Sequence, residues 1–562
     1  MNIPGLDPHL VSRIDQWQGI ELDLADEHTL REWLDDAGRG DQSAIDRLHE
    51  FFDQPLIFGT AGLRGAMGPG PGGMNTTVVC QAAQAIGTLL LAQSEHTNQP
   101  PLVVVGFDGR HRSRAFAEAT AAVLIDQGLR VEISKDPIPT PMLAFAVRHC
   151  HAAAGIMVTA SHNPAKDNGY KVYWGDGRQI ISPTDQNIAD LMSTQPSLQR
   201  VPTAAPPGVL RGDVEAAYLR ASAALLIPNG PRTLRVAHTA LHGVSSILFA
   251  KVLQYSNFSP PVEVVDQQRP DPDFPTVAFP NPEEPGAMKL ALELALRENC
   301  DLVIAHDPDG DRCAVAIPDP WRMLSGDEVG ALIGWWLITR RPTHNGIFAS
   351  SIVSGTLLPT IATAHQVPFT RTLTGFKWIS RVPGLTFGYE EALGYCIDPA
   401  HVADKDGITA GLLLCEVAAH LQSTGISIED LLTDLEATYG THLSAQVSMR
   451  MPNAALTTTL AQLIVADPPS HLAGRLITEV VDLGLGSLSS DFPTLPPTPG
   501  LRLNLGDEAT IFIRPSGTEP KVKAYLQVHL PPFHEVARGR AVAQGLLDEL
   551  VTSVESLIRV YL

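Results

Sequence analysis

Apolar runs of strand length alternate with helix-length segments through most of this chain, and that alternation limits the fold more than any other feature. From Leu102 the order is strand (Val103-Val-Val105), loop (Gly106 to Arg112), helix (Ser113 to Gly128), strand (Leu129 to Ile133), helix (Met142 to Cys150) and a buried strand from Ala153 to Val158. Strands and helices alternating at these lengths pack as a parallel α/β sheet. The order recurs from Leu234, through Val262-Glu-Val-Val265 and a Pro-rich loop at 269–285 to Asp301-Leu-Val-Ile-Ala-His306, and again from the helix after Asp327 to the helix Gly407 to His420. Beyond about residue 440 the style changes to alternating strands with a terminal helix from His534, which reads as a separate α+β domain. A chain of 562 residues is too long for one core. The expected domains are 1–205, 206–320, 321–440 and 441–562, with the Pro/Ala-rich Val201 to Gly208 as a linker. Residues 7–52 read as a helical extension, with Asp26 or Thr29 capping the turn before Leu30.

Composition serves mainly to exclude. The net charge of −21 argues against nucleic acid, whose phosphates are bound by clustered Lys and Arg. No run approaches the roughly eighteen uninterrupted apolar residues of a membrane span, and the N-terminus lacks the basic and apolar regions of a secretory signal. The six cysteines form no Cys-x-x-Cys pair, which suits a reducing compartment, and the cytoplasm is the expected location.

Four polar stretches interrupt the apolar pattern. In Thr159-Ala-Ser-His-Asn-Pro164, turn formers end the buried strand and leave Ser161 on a loop at its tip, beside His162. A turn at Asn168-Gly169 would fold Lys171 back toward the serine. A hydroxyl, an imidazole and an ammonium so placed could serve as nucleophile, proton relay and charge clamp, or simply satisfy a polar loop. Asp307-Pro-Asp-Gly-Asp-Arg312 puts carboxylates at alternate positions after a buried strand, with Gly310 permitting the bend. Three clustered carboxylates repel one another unless a cation sits between them, and hard oxygen ligands select Mg²⁺ or Ca²⁺; the other reading is a solvated Asp-rich turn. An EF-hand is excluded, because glycine falls fourth in the run and Pro318 stands where the twelfth-position Glu would be.

Gly388-Tyr-Glu-Glu-Ala-Leu-Gly394 offers Glu390 and Glu391 as acceptors for polyol hydroxyls, or as two solvated carboxylates. Thr374-Gly375-Phe-Lys377-Trp378 adds an ammonium beside two aromatics. Arg514-Pro-Ser-Gly-Thr-Glu-Pro-Lys-Val-Lys523 gathers a guanidinium, hydroxyls and ammoniums around a glycine turn, which makes either a phosphate nest or a cation-rich hairpin. The glycine-dense segment Phe58 to Gly68 carries Arg64 as its one strong positive donor.

Taken in order, Thr-Ala-Ser-His-Asn-Pro, Asp-Pro-Asp-Gly-Asp-Arg, Gly-Tyr-Glu-Glu-Ala and Arg-Pro-Ser-Gly-Thr-Glu-Pro-Lys resemble the four motif loops of the α-D-phosphohexomutase superfamily, and the match spans most of the chain. The resemblance implies three α/β domains with mixed or parallel sheets and a C-terminal α+β domain around a central cleft. It implies Ser161 as the phosphoserine, with His162 and Lys171 in proton transfer. Asp307, Asp309 and Asp311 would hold Mg²⁺ together with Ser161, while Arg64 and Arg312 steady the transferring group. By the same resemblance Gly375, Lys377, Glu390 and Glu391 would face the sugar, and Arg514, Ser516, Gly517, Thr518 and Lys523 would clamp the phosphate that is not reacting.

The implied activity moves a phosphoryl group between the 1-position and the terminal hydroxyl (5 or 6) of an aldose phosphate, through a phosphoserine and a sugar bisphosphate that also serves as activator. Ala392 departs from the pattern, since many phosphoglucomutases and phosphomannomutases have Ser there. The Gly-Tyr-Glu-Glu-Ala-Leu-Gly form and the helical extension look more like the phosphopentomutase and broad-specificity phosphoglucomutase branch, so glucose, mannose, ribose and deoxyribose phosphates all remain compatible. The alternatives are a sugar-1,6-bisphosphate synthase on the same scaffold and a non-catalytic phosphosugar-binding protein.

Overall fold

The computed structural model describes residues 6–57, 62–94, 99–340, 346–452, 454–486, 495–515 and 521–561. The chain divides into two units, the first made of Met1–Pro228, Thr233–Ala314 and Ala400–Leu412, the second of Asn229–Arg232, Val315–Pro399 and Leu413–Leu562.

The first unit opens with three amphipathic helices, α1 (Pro8–Gln18), α2 (Leu24–Gly38) and α3 (Gln42–Phe52). Their N-caps are Asp7, Asp23 and Asp41, each accepting a hydrogen bond from a backbone N–H of the first turn. The expected cap of α2 is therefore displaced. Helix α2 starts earlier, at Asp23, and Asp26 pairs with Arg112 instead.

There follow β1 (Leu63–Ala66), α4 (Thr76–Gln93), β2 (Leu102–Phe107), α5 (Ser113–Asp126), β3 (Arg130–Ile133), α6 (Thr140–His149), β4 (Ala154–Val158), β5 (Asp167–Trp174), α7 (Thr184–Thr194) and β6 (Gly208–Val209). They build a six-stranded sheet of order β1-β5-β4-β2-β3-β6. Strands β2, β3, β4 and β6 are mutually parallel, while β5 runs antiparallel to both β4 and β1. Every residue of β2 and β4 is buried, as an unbroken apolar run demands of a central strand. The sheet, α4, α5 and the three leading helices share one hydrophobic core. The Pro/Ala-rich segment leads into the edge strand β6, so it feeds the first sheet before the chain moves on.

Beyond α8 (Asp213–Ala224) come β7 (Val236–Thr239), α9 (Ser245–Tyr255), β8 (Val262–Glu263), α10 (Lys289–Arg297) and β9 (Leu302–His306). Strand β7 pairs in parallel with both β8 and β9. The alternation thus gives βαβ units here as well.

After β10 (Cys313–Ile317) and β11 (Arg322–Met323) come α11 (Gly326–Arg340), β12 (Ile347–Ser351), α12 (Leu357–Ala364), β13 (Phe369–Thr372), α13 (Phe376–Ile379), β14 (Leu385–Glu390), β15 (Gly394–Cys396), α14 (Gly407–Ser423), whose first residues to Leu412 belong to the first unit, and α15 (Ile428–Tyr439). The second unit's mixed sheet has the order β13-β12-β14-β15. The remainder is β16 (Thr441–Arg450), α16 (Ala454–Ala466), β17 (His471–Leu472), β18 (Arg475–Leu476), β19 (Glu479–Asp482), β20 (Leu501–Leu505), β21 (Ala509–Pro515), β22 (Lys521–Leu530) and α17 (Val536–Arg559). An antiparallel sheet of order β16-β22-β21-β20-β19 packs on α16 and α17 around its own core. Three α/β sheets and a C-terminal α+β domain are thus the architecture. All six cysteines are buried and none is in a disulfide among the described residues, and no described helix is long and apolar enough to cross a membrane.

Candidate active site

Strand β4 delivers the chain to Ser161. Its backbone turns there through the left-handed region, with φ at 54°, and the Ser161 N–H donates to Thr159 Oγ1 at 2.9 Å. The hydroxyl, almost wholly buried, donates to Asp307 Oδ2 at 2.8 Å and lies 3.2 Å from His162 Nδ1.

Lys171 arrives by a different route from the expected one. Asn168 and Gly169 form no turn; they lie inside β5, and the chain reverses between Thr159 and Lys166. Antiparallel pairing then sets Lys171 opposite Met157, on the strand next to the one that carries the serine. Glycine stands at 169 for a packing reason, since a Cβ there would lie 2.5 Å from the carbonyl oxygen of Thr159 and 2.7 Å from that of Leu63.

The three aspartates converge as expected. Asp307, Asp309 and Asp311 are fully buried after β9, and each offers a carboxylate oxygen within 4.8 Å of the others. Gly310, at φ 70°, makes the bend. Lys171 Nζ bridges Asp309 Oδ2 and Asp311 Oδ2, each at 2.7 Å, and Thr140 Oγ1 donates to Asp309 Oδ2 at 2.6 Å. Burial and the two neighbouring carboxylates push Asp307 well above the ordinary carboxylate range. Burial would raise Asp311 too, but Lys171 and Lys405 hold it low. Burial alone would lower Lys171, yet Asp309 and Asp311 raise it. Burial, with Arg312 and Arg64 nearby, drives His162 well below its usual value and leaves the ring neutral.

A divalent ion fits these residues. Among the described residues Asp309 Oδ1 and Asp311 Oδ1 are buried without a hydrogen-bond partner, and oxygen donors this close together suit a hard cation. Arg64, on β1, pairs across to Gly169 and lies within electrostatic reach of Asp309 and Asp311, with its Nε buried and without a hydrogen-bond partner among the described residues. The Arg312 N–H donates to Asp307 Oδ1 at 3.0 Å, and its guanidinium sits 3.3 Å from Glu283.

Two residues of this region escaped the sequence reading. Lys405 Nζ lies 2.9 Å from Asp311 Oδ2. Its loop is held by Tyr173 and Gln179 on Asp404, and by Tyr218 on Asp406. Gly407 allows the loop to approach, for a Cβ there would lie 2.3 Å from the Arg312 carbonyl oxygen. The available signal was a lysine between two aspartates directly before an apolar helix. The other residue is Arg110, in the loop after β2, whose guanidinium is buried against the Ser161 loop.

In the second unit, Glu390 ends β14 and its Oε1 accepts from the Gly375 N–H at 2.5 Å. Lys377 lies in α13, two residues beyond Gly375. Glu391 is engaged by the fold, since its Oε2 accepts from Ser351 Oγ at 3.0 Å and Ser354 Oγ at 2.7 Å. Arg514 pairs with Lys523 across β21 and β22, so the two cations come side by side. The Arg514 guanidinium stands over the Tyr525 ring at 5.6 Å, with Nε buried and without a hydrogen-bond partner among the described residues. Ser516, Gly517 and Thr518 lie outside the described residues.

A serine hydroxyl inside a ring of buried carboxylates and ammoniums, on an α/β scaffold, defines a site built around a strongly charged reacting group. Comparison with known proteins gives the family. Three models described as phosphoglucomutase/phosphomannomutase alpha/beta/alpha domains I, II and III match residues 55–199, 216–320 and 325–439. The chain is 38% identical over 462 residues to a Haemophilus influenzae protein named "Probable phosphomannomutase", covering 81% of this chain and 93% of that one. It is 34% identical over 566 residues to human phosphopentomutase, covering 91% and 90%. A crystal structure of a phosphoglucomutase/phosphomannomutase family protein from Burkholderia thailandensis shares the fold, with a TM-score of 0.69 at 19% identity over 89% of this chain and 97% of that one. The chain belongs to the phosphoglucomutase/phosphomannomutase family. It is an enzyme of the intramolecular phosphotransferase class.

Proposed function

We propose that this enzyme is a phosphosugar mutase that moves a phosphoryl group between the 1-position and the terminal hydroxyl (5 or 6) of an aldose phosphate, by way of phosphorylated Ser161 and a sugar bisphosphate. One observation carries the reading: the Ser161 hydroxyl is buried and bonded to Asp307 within a cluster of three carboxylates and two ammoniums. Phosphate monoesters react slowly because their charge repels nucleophiles, so catalysis of their transfer is mostly positioning and charge neutralisation.

The sugar hydroxyl attacks phosphorus, the bond from phosphorus to the Ser161 oxygen breaks, and a bisphosphate results. His162, whose Nδ1 lies 3.2 Å from Ser161 Oγ, takes the hydroxyl proton on Nε2, with Lys171 as the second proton-transfer group. Arg64 and Arg312 act as fixed positive charge. In the reverse half-reaction the other phosphate of the bisphosphate returns to Ser161 and the imidazole gives its proton back. Asp307, Asp309 and Asp311, with the Ser161 oxygen, would hold a Mg²⁺ ion, which supplies positive charge to polarise the phosphoryl group. Glu390, ordered by the Gly375 N–H, accepts from sugar hydroxyls, and Arg514 and Lys523 bind the phosphate that is not reacting.

The test is turnover of glucose, mannose, ribose and deoxyribose 1-phosphates with Mg²⁺ and a catalytic amount of the matching bisphosphate. At least one should isomerise, and Ser161→Ala should lower kcat by about 10⁴-fold or more. Undiminished isomerisation by Ser161→Ala would remove the mechanism. Release of labelled bisphosphate in place of isomerised monophosphate would favour the synthase.

A further inference from the structure

The loop that carries Ser161 is held from behind by one buried guanidinium. Arg110 Nη2 donates to the carbonyl oxygens of Ser161 at 2.5 Å and Asn163 at 2.7 Å. Its Nη1 donates to those of Pro164 at 2.9 Å and Asp167 at 3.2 Å, and its Nε lies 3.2 Å from Asp108 Oδ2. Both side chains of the Asp108 and Arg110 pair are 1% exposed. On the far side, the Phe274 ring stands 5.0 Å from the guanidinium carbon, and Gly109 lets Pro270 close to 2.5 Å of where a Cβ would be. Phe274 and Pro270 belong to the Pro-rich loop beyond β8, so that loop seals the guanidinium in place.

A serine with φ at 54° is in a region that L-residues seldom occupy, and such a conformation persists only where its surroundings fix it. Four carbonyls turned toward one plane of N–H donors are such a fixing. The planar five-donor fork is what the arrangement uses, because an ammonium has three donors, no plane and a weaker hold on an aromatic face.

We infer that Arg110, backed by Phe274, is a positioning residue for phosphoryl transfer: it touches no reacting atom, and it sets the direction of the Ser161 oxygen by clamping the backbone of the Ser161 loop. The inference rests on the reading of Ser161 as the phosphoryl carrier.

The test compares Arg110→Lys, Phe274→Leu and wild type by steady-state kinetics and by hydrogen–deuterium exchange of the amides from Ala160 to Asp167. Arg110→Lys should lower kcat by about 30-fold or more while KM stays within about 3-fold, since binding groups are untouched and only orientation is lost. Loop amides should exchange about 10-fold faster. Leu34→Ala, in the helical extension, serves as the control for a purely structural loss. It should match the fall in Tm and leave kcat within about 2-fold. A folded Arg110→Lys enzyme with kcat within about 3-fold of wild type, a loss carried by KM alone, or unchanged loop exchange would each overturn the inference. Should Arg110→Lys not fold, Phe274→Leu decides, with about a 5-fold fall in kcat and faster loop exchange expected, and wild-type values overturning it. Should wild type turn over no phosphosugar, the functional reading fails separately, and loop exchange alone judges the clamp.

Discussion

Lys405 and Lys171 together supply two positive charges to three buried carboxylates. Lys405→Met should therefore cost about 2–4 kcal/mol, because it removes one of the two ammoniums paired with the fully buried Asp311. Urea unfolding in the absence of divalent ions would measure the loss, and added Mg²⁺ should restore part of it. Asp327 tests a different effect. Burial pushes its pKa up to about 6, although Ser444 Oγ and the Gly355 N–H, each at 2.6 Å, and the Tyr389 hydroxyl at 3.1 Å donate to it. A carboxyl raised on folding binds a proton more tightly in the native state, so its contribution is fully present below about pH 4 and is lost as pH rises through about 6. Removing the charge in Asp327→Asn should flatten the fall in stability between pH 4 and pH 7, a difference of about 2–3 kcal/mol in chemical denaturation. At this scale the sequence showed the hydroxyl, the imidazole and the aspartate trio, because they lie in short runs of polar residues at the ends of buried strands. Lys405 and Arg110 were hidden by distance along the chain. A lysine beside two aspartates and an arginine after a strand look like surface residues until the fold turns them inward.

The hairpin of β4 and β5 shows how much of an element can be read from residue type. The Asn168-Gly169 pair suggests a turn by composition, yet the glycine serves close backbone approach between β1 and the end of β4. Gly169→Ala should accordingly destabilise by about 1–3 kcal/mol and lower kcat, since the strand that carries Lys171 must shift to admit the methyl. Tm and kcat should fall together. Helix α3 follows the same logic in reverse. Its apolar face of Ile45, Leu48, Phe51 and Phe52 was visible as a 3.6-residue period, but its partner was not. Phe51 and Phe52 fill space that the missing side chains of Gly68, Gly70 and Gly73 leave open. Periodicity reports which face is buried and is silent on what covers it.

Across the whole chain the alternation of strands and helices announced the α/β sheets, and the change to alternating strands after residue 440 announced the last domain. The contacts nevertheless divide the chain into two units whose boundaries no compositional shift marks, since residues 400–412 belong with the first. Each unit carries its own core, so unfolding should not be two-state. Calorimetry should resolve at least two transitions, and Leu526→Ala, deep in the C-terminal sheet, should move only one of them, by about 2–5 kcal/mol. The six enclosed cysteines give that experiment a second voice. A thiol reagent should label the buried cysteines of the folded enzyme only slowly, so each cysteine it modifies would mark a moment when the surrounding layers part. With Cys80, Cys150, Cys300 and Cys313 in one unit and Cys396 and Cys415 in the other, the order of labelling would time the loosening of each half by its own clock.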